Sequence, residues 1–162
     1  MSNHLFSSTT ENLSFRALEA NDRELLFEWR NIPEIILLSA NQCPVSWDEH
    51  MVWFDKVISD PNYYVVIISE EMRPIGQIRF EKTDLNVAEI GIYLIPSSVG
   101  KGRGSYLISQ GALLVKHKWP NLRYLQAIIR KDNIRSKKAI LDAASELVTE
   151  NDCKQHQELI CM

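Results

Sequence analysis

The sequence predicts a single mixed α/β domain whose central sheet is mostly antiparallel and flanked by helices. Three observations carry this. Segments with apolar residues at helical spacing are interleaved with short strand-like runs instead of being segregated from them. Three of those runs, Tyr63–Ser69, Ile75–Lys82 and Val87–Leu94, are separated only by Glu70–Pro74 and Thr83–Asn86, connections short enough to favour antiparallel neighbours. No repeat and no Pro/Gly/Ser-rich linker divides the 162 residues, a length that suits one domain with a sizeable core.

The elements follow in order. Residues 1–11 are polar and rich in Ser and Thr. They carry no charged segment leading into an apolar stretch, so a flexible tail is expected there and a signal peptide is not. Residues 12–162 form the expected domain. Asn12–Leu18 alternates Leu13, Phe15 and Ala17 with polar residues, as a half-buried strand does. Asn21 or Asp22 can cap a helix running to Arg30, with Leu25, Leu26 and Trp29 at helical spacing. Pro33 interrupts it, and Ile35–Gln42 reads as helix or loop. Ser46-Trp47-Asp48-Glu49 is a capping box that opens a helix to about Ser59, where Asp60-Pro61-Asn62 stops it. The three close strands come next, and Pro96 and Ser97 end the last of them. A helix is expected over Gly104–Lys118, packed through Leu107, Gly111, Leu114 and Val115. Leu122–Ile129 reads as a strand, and Ile134–Ala144 as a helix with Ile140 and Ala143 inward. Glu146–Thr149 and Gln157–Ile160 read as two last strands. The predicted order is β-α-α-β-β-β-α-β-α-β-β.

Composition narrows the function classes. A formal net charge of −3 gives no basic footprint, so nucleic acid is not an expected partner. No apolar run is long enough to span a bilayer, and no membrane association is expected. Cys43, Cys153 and Cys161 follow no disulfide or zinc-ligand spacing, and His4, His50, His117 and His156 share no ligand pattern. Reduced thiols, no metal site and a cytoplasmic location are therefore expected.

The chemistry-bearing motif is Val99-Gly100-Lys101-Gly102-Arg103-Gly104-Ser105. Its three alternating glycines follow a strand and open a helix. Glycine permits positive φ and close approach of backbone to ligand. The helix start adds unpaired N–H groups and the positive end of the dipole. Lys101 and Arg103 add charge, and Ser105 adds a hydroxyl. The combination suits phosphate or pyrophosphate. Neither common alternative fits: GxxxxGK[ST] lacks its Lys-Ser/Thr pair, and the third position after Gly102 is Ser105, which breaks GxGxxG.

On these residues the chain resembles the GNAT acetyltransferase superfamily over nearly its whole length after the tail. Val99–Gly104 fills that family's pyrophosphate signature, [Q/R]-x-x-G-x-[G/A], except for Val99 in the first position. Ala88-Glu89-Ile90-Gly91-Ile92 occupies the place of the family strand beside the acyl-CoA, which implies cofactor contacts at Ile92 and Leu94. Asn133-Ile134-Arg135-Ser136 matches the N-x-x-S start of the next helix and implies contacts from Asn133 and Ser136. The resemblance thus implies acetyl-CoA as cofactor and transfer of its acetyl group to a small-molecule primary amine. Phe27–Asn31, Glu49–Phe54, Pro74–Ile78 and Gly91–Tyr93 are similar to the branch that acetylates nucleotide-linked amino sugars in pseudaminic-acid biosynthesis. Looser relatives that modify ribosomal proteins, protein N-termini or aminoglycosides share these phrases, and a catalytically weak acyl-CoA-binding domain is a further alternative. A monomer or homodimer is expected.

Direct attack needs a neutral amine and therefore a base. Glu89, a carboxylate among apolar strand neighbours, is the candidate; alternatively it points to solvent or pairs with Arg79. Where the family places a proton-donating Tyr, seven residues after the motif Asn, this chain has Ile140. Ala144-Ser145 replaces the usual Gly-Phe. Tyr106 or solvent is left to protonate the thiolate. On the acceptor side the candidates are Arg30, Trp53 and Arg79. A guanidinium suits a phosphate, although Arg30 can instead pair with Glu28 or Glu34. Trp53 shares a helical face with His50 and Phe54, a spacing that also suits core packing.

Overall fold

The computed structural model describes residues 10, 12–147 and 159–161, with 145–147 and 159–161 described by backbone alone. Apart from Thr10, the expected tail lies outside the described residues, as do His4, Cys153, His156 and residues 148–149 and 157–158 of the predicted last two strands.

Among the described residues six strands form one sheet in sequence order: β1 (Leu13–Ala17), β2 (Tyr63–Glu70), β3 (Arg73–Asp84), β4 (Val87–Leu94), β5 (Tyr124–Ala127) and β6 (Leu159–Cys161). Every neighbouring pair is antiparallel except β4 and β5. Those two run parallel because α4 (Gly104–Lys118) carries the chain across, as a parallel pair requires. Three helices lie between β1 and β2: α1 (Arg23–Arg30), α2 (Pro33–Leu38) and α3 (Trp47–Ser59). α1 ends at Arg30 as expected, with Ile32 extended before Pro33, and Pro33 is itself the first residue of α2, where a missing N–H costs no helical bond. The capping box at α3 forms, with the Glu49 amide donating to Ser46 Oγ and Glu49 Oε2 accepting from the Ser46 amide. Asp22 does sit at the N-cap of α1 but does not cap it, because its carboxylate accepts two 2.7 Å bonds from Arg16 on β1.

The sheet separates two apolar clusters. On one face Ile78, Phe80, Ala88 and Ile90 pack under α4 and α5 (Ile134–Leu147), with Ile140 and Ala143 inward. On the other, Ile67 packs with Leu26 and Trp29 of α1, Ile35 of α2 and Phe54 of α3. β2 is therefore covered on both faces, which is why Val65–Ile68 is a continuous apolar run and not an alternating one.

Two boundaries differ from expectation. Glu146 and Leu147 continue α5 and start no strand, since Ala143-Ala144-Ser145 contains no Gly or Pro to stop the helix. β5 spans only Tyr124–Ala127, shorter than the predicted Leu122–Ile129. Pairing ends at Ile90 with Ala127, and Ile128 is 70% exposed where the chain leaves the sheet. That departure makes the site.

Candidate active site at the β4–β5 cleft

Beyond Ile90, the edge of β4 that faced β5 has no strand partner among the described residues, although Gly91–Leu94 stay paired to β3 on the other edge. The gap opens into a cavity of about 580 Å³, within the range of small-molecule sites. Its walls are Ile92, Tyr93 and Leu94 of β4, Leu37 and Leu38 of α2, Val99 and Gly104 at the turn, and Asn133, Ser136 and Ala139 at the start of α5. Of the predicted cofactor residues, Ile92, Leu94, Val99, Gly104, Asn133 and Ser136 thus meet around one space. Gly100, Lys101, Gly102, Arg103 and Ser105 belong to the adjoining turn but not to the cavity wall.

In the turn, Gly100 (φ 82°) and Gly102 (φ 70°) take the left-handed backbone conformation. Among the described residues, no backbone carbonyl accepts from the amides of Gly100 through Tyr106. The first paired amide of α4 is that of Leu107, on the Arg103 carbonyl at 3.0 Å. A run of unpaired donors at a helix N-terminus matches a pyrophosphate. Gly104 serves a different purpose: a Cβ there would lie 2.9 Å from the Ala139 Cβ, so glycine lets α4 and α5 touch. Arg103 is buried, donating from Nη1 to Glu70 Oε1 at 2.6 Å and from Nη2 to the Ser98 carbonyl at 3.2 Å. Its charge is directed at Glu70 and away from the turn's open side. Asn133 caps α5 by accepting from the Ser136 amide at 3.1 Å, and it also lines the cavity. Free strand edge, unpaired amides and cavity are contiguous, and together they fit an acyl-CoA laid across them.

Glu89 points to the α1–α3 side of the sheet, half-buried, with Arg79 Nη2 at 4.0 Å from Oε1. The Arg79 alternative raised by the sequence is therefore present as a long contact. On the same face lie Gln77 and Tyr93, paired across β3 and β4, and Arg30 at the end of α1. Arg30 Nη2 donates to Asn41 Oδ1 at 3.3 Å, while its Nη1 is buried without a partner, as is Gln77 Oε1. Buried unpaired polar atoms are rare in folded proteins and call for an explanation. Burial pushes the Tyr93 phenol pKa up, although the Arg30 and Arg79 charges pull it down. The phenol accordingly keeps its proton at neutral pH.

The helical face of α3 is core at His50 and Phe54, whereas Trp53 is only partly buried. Phe54 is fully buried, Trp53 packs against the Leu26–Trp29 cluster, and His50 Nε2 donates to the Arg23 carbonyl at 2.7 Å. Burial lowers the His50 pKa and keeps the ring neutral. Tyr106 packs against the core on the α4 side and is not part of the cavity wall. Reading the sequence missed Tyr93, Gln77, Leu37 and Leu38. The two leucines are 61% and 50% exposed, and nothing local marks them as walls of a site. Tyr93 had a signal, since it sits two residues beyond Gly91 in a strand already assigned to the cofactor. Among the described residues no three His, Cys, Asp or Glu side chains gather as a metal site, no helix is long and apolar enough to cross a membrane, and Cys43 is a free, exposed thiol.

A mixed sheet with a cleft between parallel β4 and β5 and a glycine turn leading into α4 defines an acetyltransferase of the GNAT class. Residues 12–143 match the acetyltransferase (GNAT) domain, and the chain belongs to that family. It is an N-acetyltransferase with acetyl-CoA as donor. Acetyltransferase PseH of Campylobacter jejuni (serotype O:23/36, strain 81-176) is 28% identical over 127 residues, 77% of this chain and 77% of that protein. The fold is similar to that of a spermidine N-acetyltransferase from Vibrio cholerae in complex with CoA and spermine, with a TM-score of 0.71 and 23% identity over 82% of this chain and 79% of that one. It also resembles an aminoglycoside acetyltransferase in complex with coenzyme A and kanamycin, with a TM-score of 0.71 and 20% identity over 82% and 83%.

Proposed function

We propose that this enzyme acetylates the primary amine of an acceptor that also carries an anionic group, as a nucleotide-linked amino sugar does. The observation that carries the reading is Arg30, whose buried Nη1 lacks a partner on the face that also holds Arg79, Tyr93 and Glu89. Arg30, Arg79 and Glu89 are not part of the cavity wall, but two guanidiniums on the face that carries Tyr93 favour phosphate and oppose polycations such as polyamines and aminoglycosides. The similarity to acetyltransferase PseH supports an amino sugar as acceptor.

In this reading the amides of Gly100–Tyr106 and the free edge of β4 hold acetyl-CoA, with Asn133 and Ser136 at the mouth. When bound, acetyl-CoA supplies an activated thioester carbonyl. Glu89 takes the proton from the attacking amine nitrogen, directly or through water. Tyr93 Oη stays protonated and donates toward the departing sulfur, the role that Ile140 cannot fill. Ile92, Leu94 and Leu107 keep the reacting end dry. The expected result of Tyr93→Phe is about a tenfold loss of kcat, read by release of free thiol.

The test is thiol release from acetyl-CoA with a panel of amines: a nucleotide-linked amino sugar, spermidine and kanamycin. The highest kcat/KM is expected for the nucleotide-linked sugar. Arg30→Met should raise KM for that acceptor about tenfold and leave KM for spermidine unchanged or lower. A higher kcat/KM for spermidine or kanamycin would overturn the anionic-acceptor reading. Cofactor binding without thiol release from any of them would favour a catalytically weak domain.

A further inference from the structure

We propose that Arg103, held by Glu70, is the positioning residue of the glycine turn, and that Lys101 is the turn's exchangeable cation. The proposal rests on reading the turn as the pyrophosphate site. Two basic residues of one short motif are expected to act alike on an anion, but their surroundings differ sharply. The Arg103 side chain is 1% exposed, with its Nη1 2.6 Å from Glu70 Oε1. Its second bond, to the Ser98 carbonyl, joins the end of the turn to its beginning. One guanidinium thus closes the loop whose apex carries Gly100 and Gly102. Glu70 is itself well anchored: it ends β2, pairs with Arg73 across the hairpin, and precedes Glu71 and Met72, both at positive φ.

Lys101 uses the other oxygen of the same carboxylate, at 3.5 Å, with 46% of its side chain exposed. An exposed ammonium on a flexible stem is loosely held. Withdrawing the buried guanidinium would leave charge uncompensated and is strongly unfavourable. Donation from Arg103, and the charges of Arg103 and Lys101, hold the Glu70 carboxyl below the usual carboxylate range, so it remains an anion at neutral pH. An arriving pyrophosphate therefore finds one cation free to exchange partners. When Lys101 swings to the phosphate, Arg103 still neutralises Glu70, and the loop keeps its shape with its amides outward.

The test is calorimetric titration of Arg103→Met, Arg103→Lys and Lys101→Ala proteins with acetyl-CoA over a series of salt concentrations. Arg103→Met is expected to weaken binding about tenfold and to flatten the slope of log Kd against log salt, because Lys101 is then needed to neutralise Glu70 and is no longer free to exchange. Arg103→Lys should fall between while keeping the wild-type slope, since an ammonium still neutralises Glu70 and leaves Lys101 free but does not copy the planar fork that also reaches Ser98; it carries the test if the Met variant does not fold. Lys101→Ala should flatten the slope. An unchanged Kd in Arg103→Met and Arg103→Lys, with only their melting temperatures lowered, would overturn the positioning role, as would a slope in Arg103→Lys flattened as much as in Lys101→Ala. If Lys101→Ala alters neither Kd nor slope while Arg103→Met weakens binding, the exchangeable-cation role falls; if none of the three variants alters Kd or slope, the pyrophosphate is not at this turn and the proposal falls with that reading.

Discussion

Replacing Glu89 by Gln is expected to lower kcat by about a hundredfold or more without weakening acetyl-CoA binding. The expectation comes from where β4 changes its surroundings. Up to Ile90 the strand is paired on both edges; from Gly91 onward it is paired to β3 alone and borders the cavity. Glu89 stands at the last fully paired turn of the pleat, on the α1–α3 side of the sheet, half-buried and 4.0 Å from Arg79 Nη2. Gln keeps the shape and hydrogen-bonding reach of the side chain but cannot accept the amine proton. Single-turnover thiol release measures the chemical step, and a thermal shift with acetyl-CoA checks that the site is intact. Wild-type turnover in the Gln variant would remove Glu89 from the mechanism. Loss of acetyl-CoA binding would make its role structural, through Arg79.

The second large effect is on the fold. Gly76→Ala is expected to cost about 3 kcal/mol of stability and to weaken acetyl-CoA binding as well. A Cβ on Gly76 would overlap the Tyr93 carbonyl oxygen and lie 2.6 Å from Leu94 Cδ2. The first obstacle is backbone of a neighbouring strand, which cannot rotate away, so β3 and β4 must separate where Gly76 pairs with Leu94. Tyr93 and Leu94 are cavity walls, and moving them reshapes the cleft. Gly91→Ala is the control on the same sheet. Its Cβ would meet nothing nearer than Arg79 Nη2 at 3.9 Å, and stability should change by less than about 1 kcal/mol. Urea unfolding of both variants, compared by midpoint, distinguishes them; equal midpoints would refute the close-approach explanation for Gly76.

Much of the frame was legible in the chain because it depends on near neighbours. Ser46 and Glu49 are three residues apart, and their capping box needs nothing beyond one helical turn. The hairpins around β3 follow from short connections. The turn at Gly100–Gly104 announces itself by residues that take positive φ between a strand and a helix. Shorter-range rules also failed in informative ways. Asp22 has the chemistry of a cap, but Arg16 is a stronger partner and takes both its oxygens. The helical spacing of His50, Trp53 and Phe54 identified a shared face correctly; what covers that face is α1, which periodicity does not reveal.

By itself, the sequence determined an α/β domain with a glycine turn between a strand and a helix and a carboxylate on the strand before it. Tertiary structure alone decided which partners those groups have. Glu70 stands 33 residues before Arg103, and only the arrangement of the β2–β3 hairpin against the turn makes them partners. The cleft exists because β5 stops pairing with β4 after Ala127, although Ile128 and Ile129 are as strand-like as the residues before them. Tyr93 became a candidate donor because the cavity and Arg30 converge on it. The physical reason is common to all three. Local propensity depends on a few neighbouring residues, whereas the partner of a side chain depends on sheet register and helix packing summed over the whole chain.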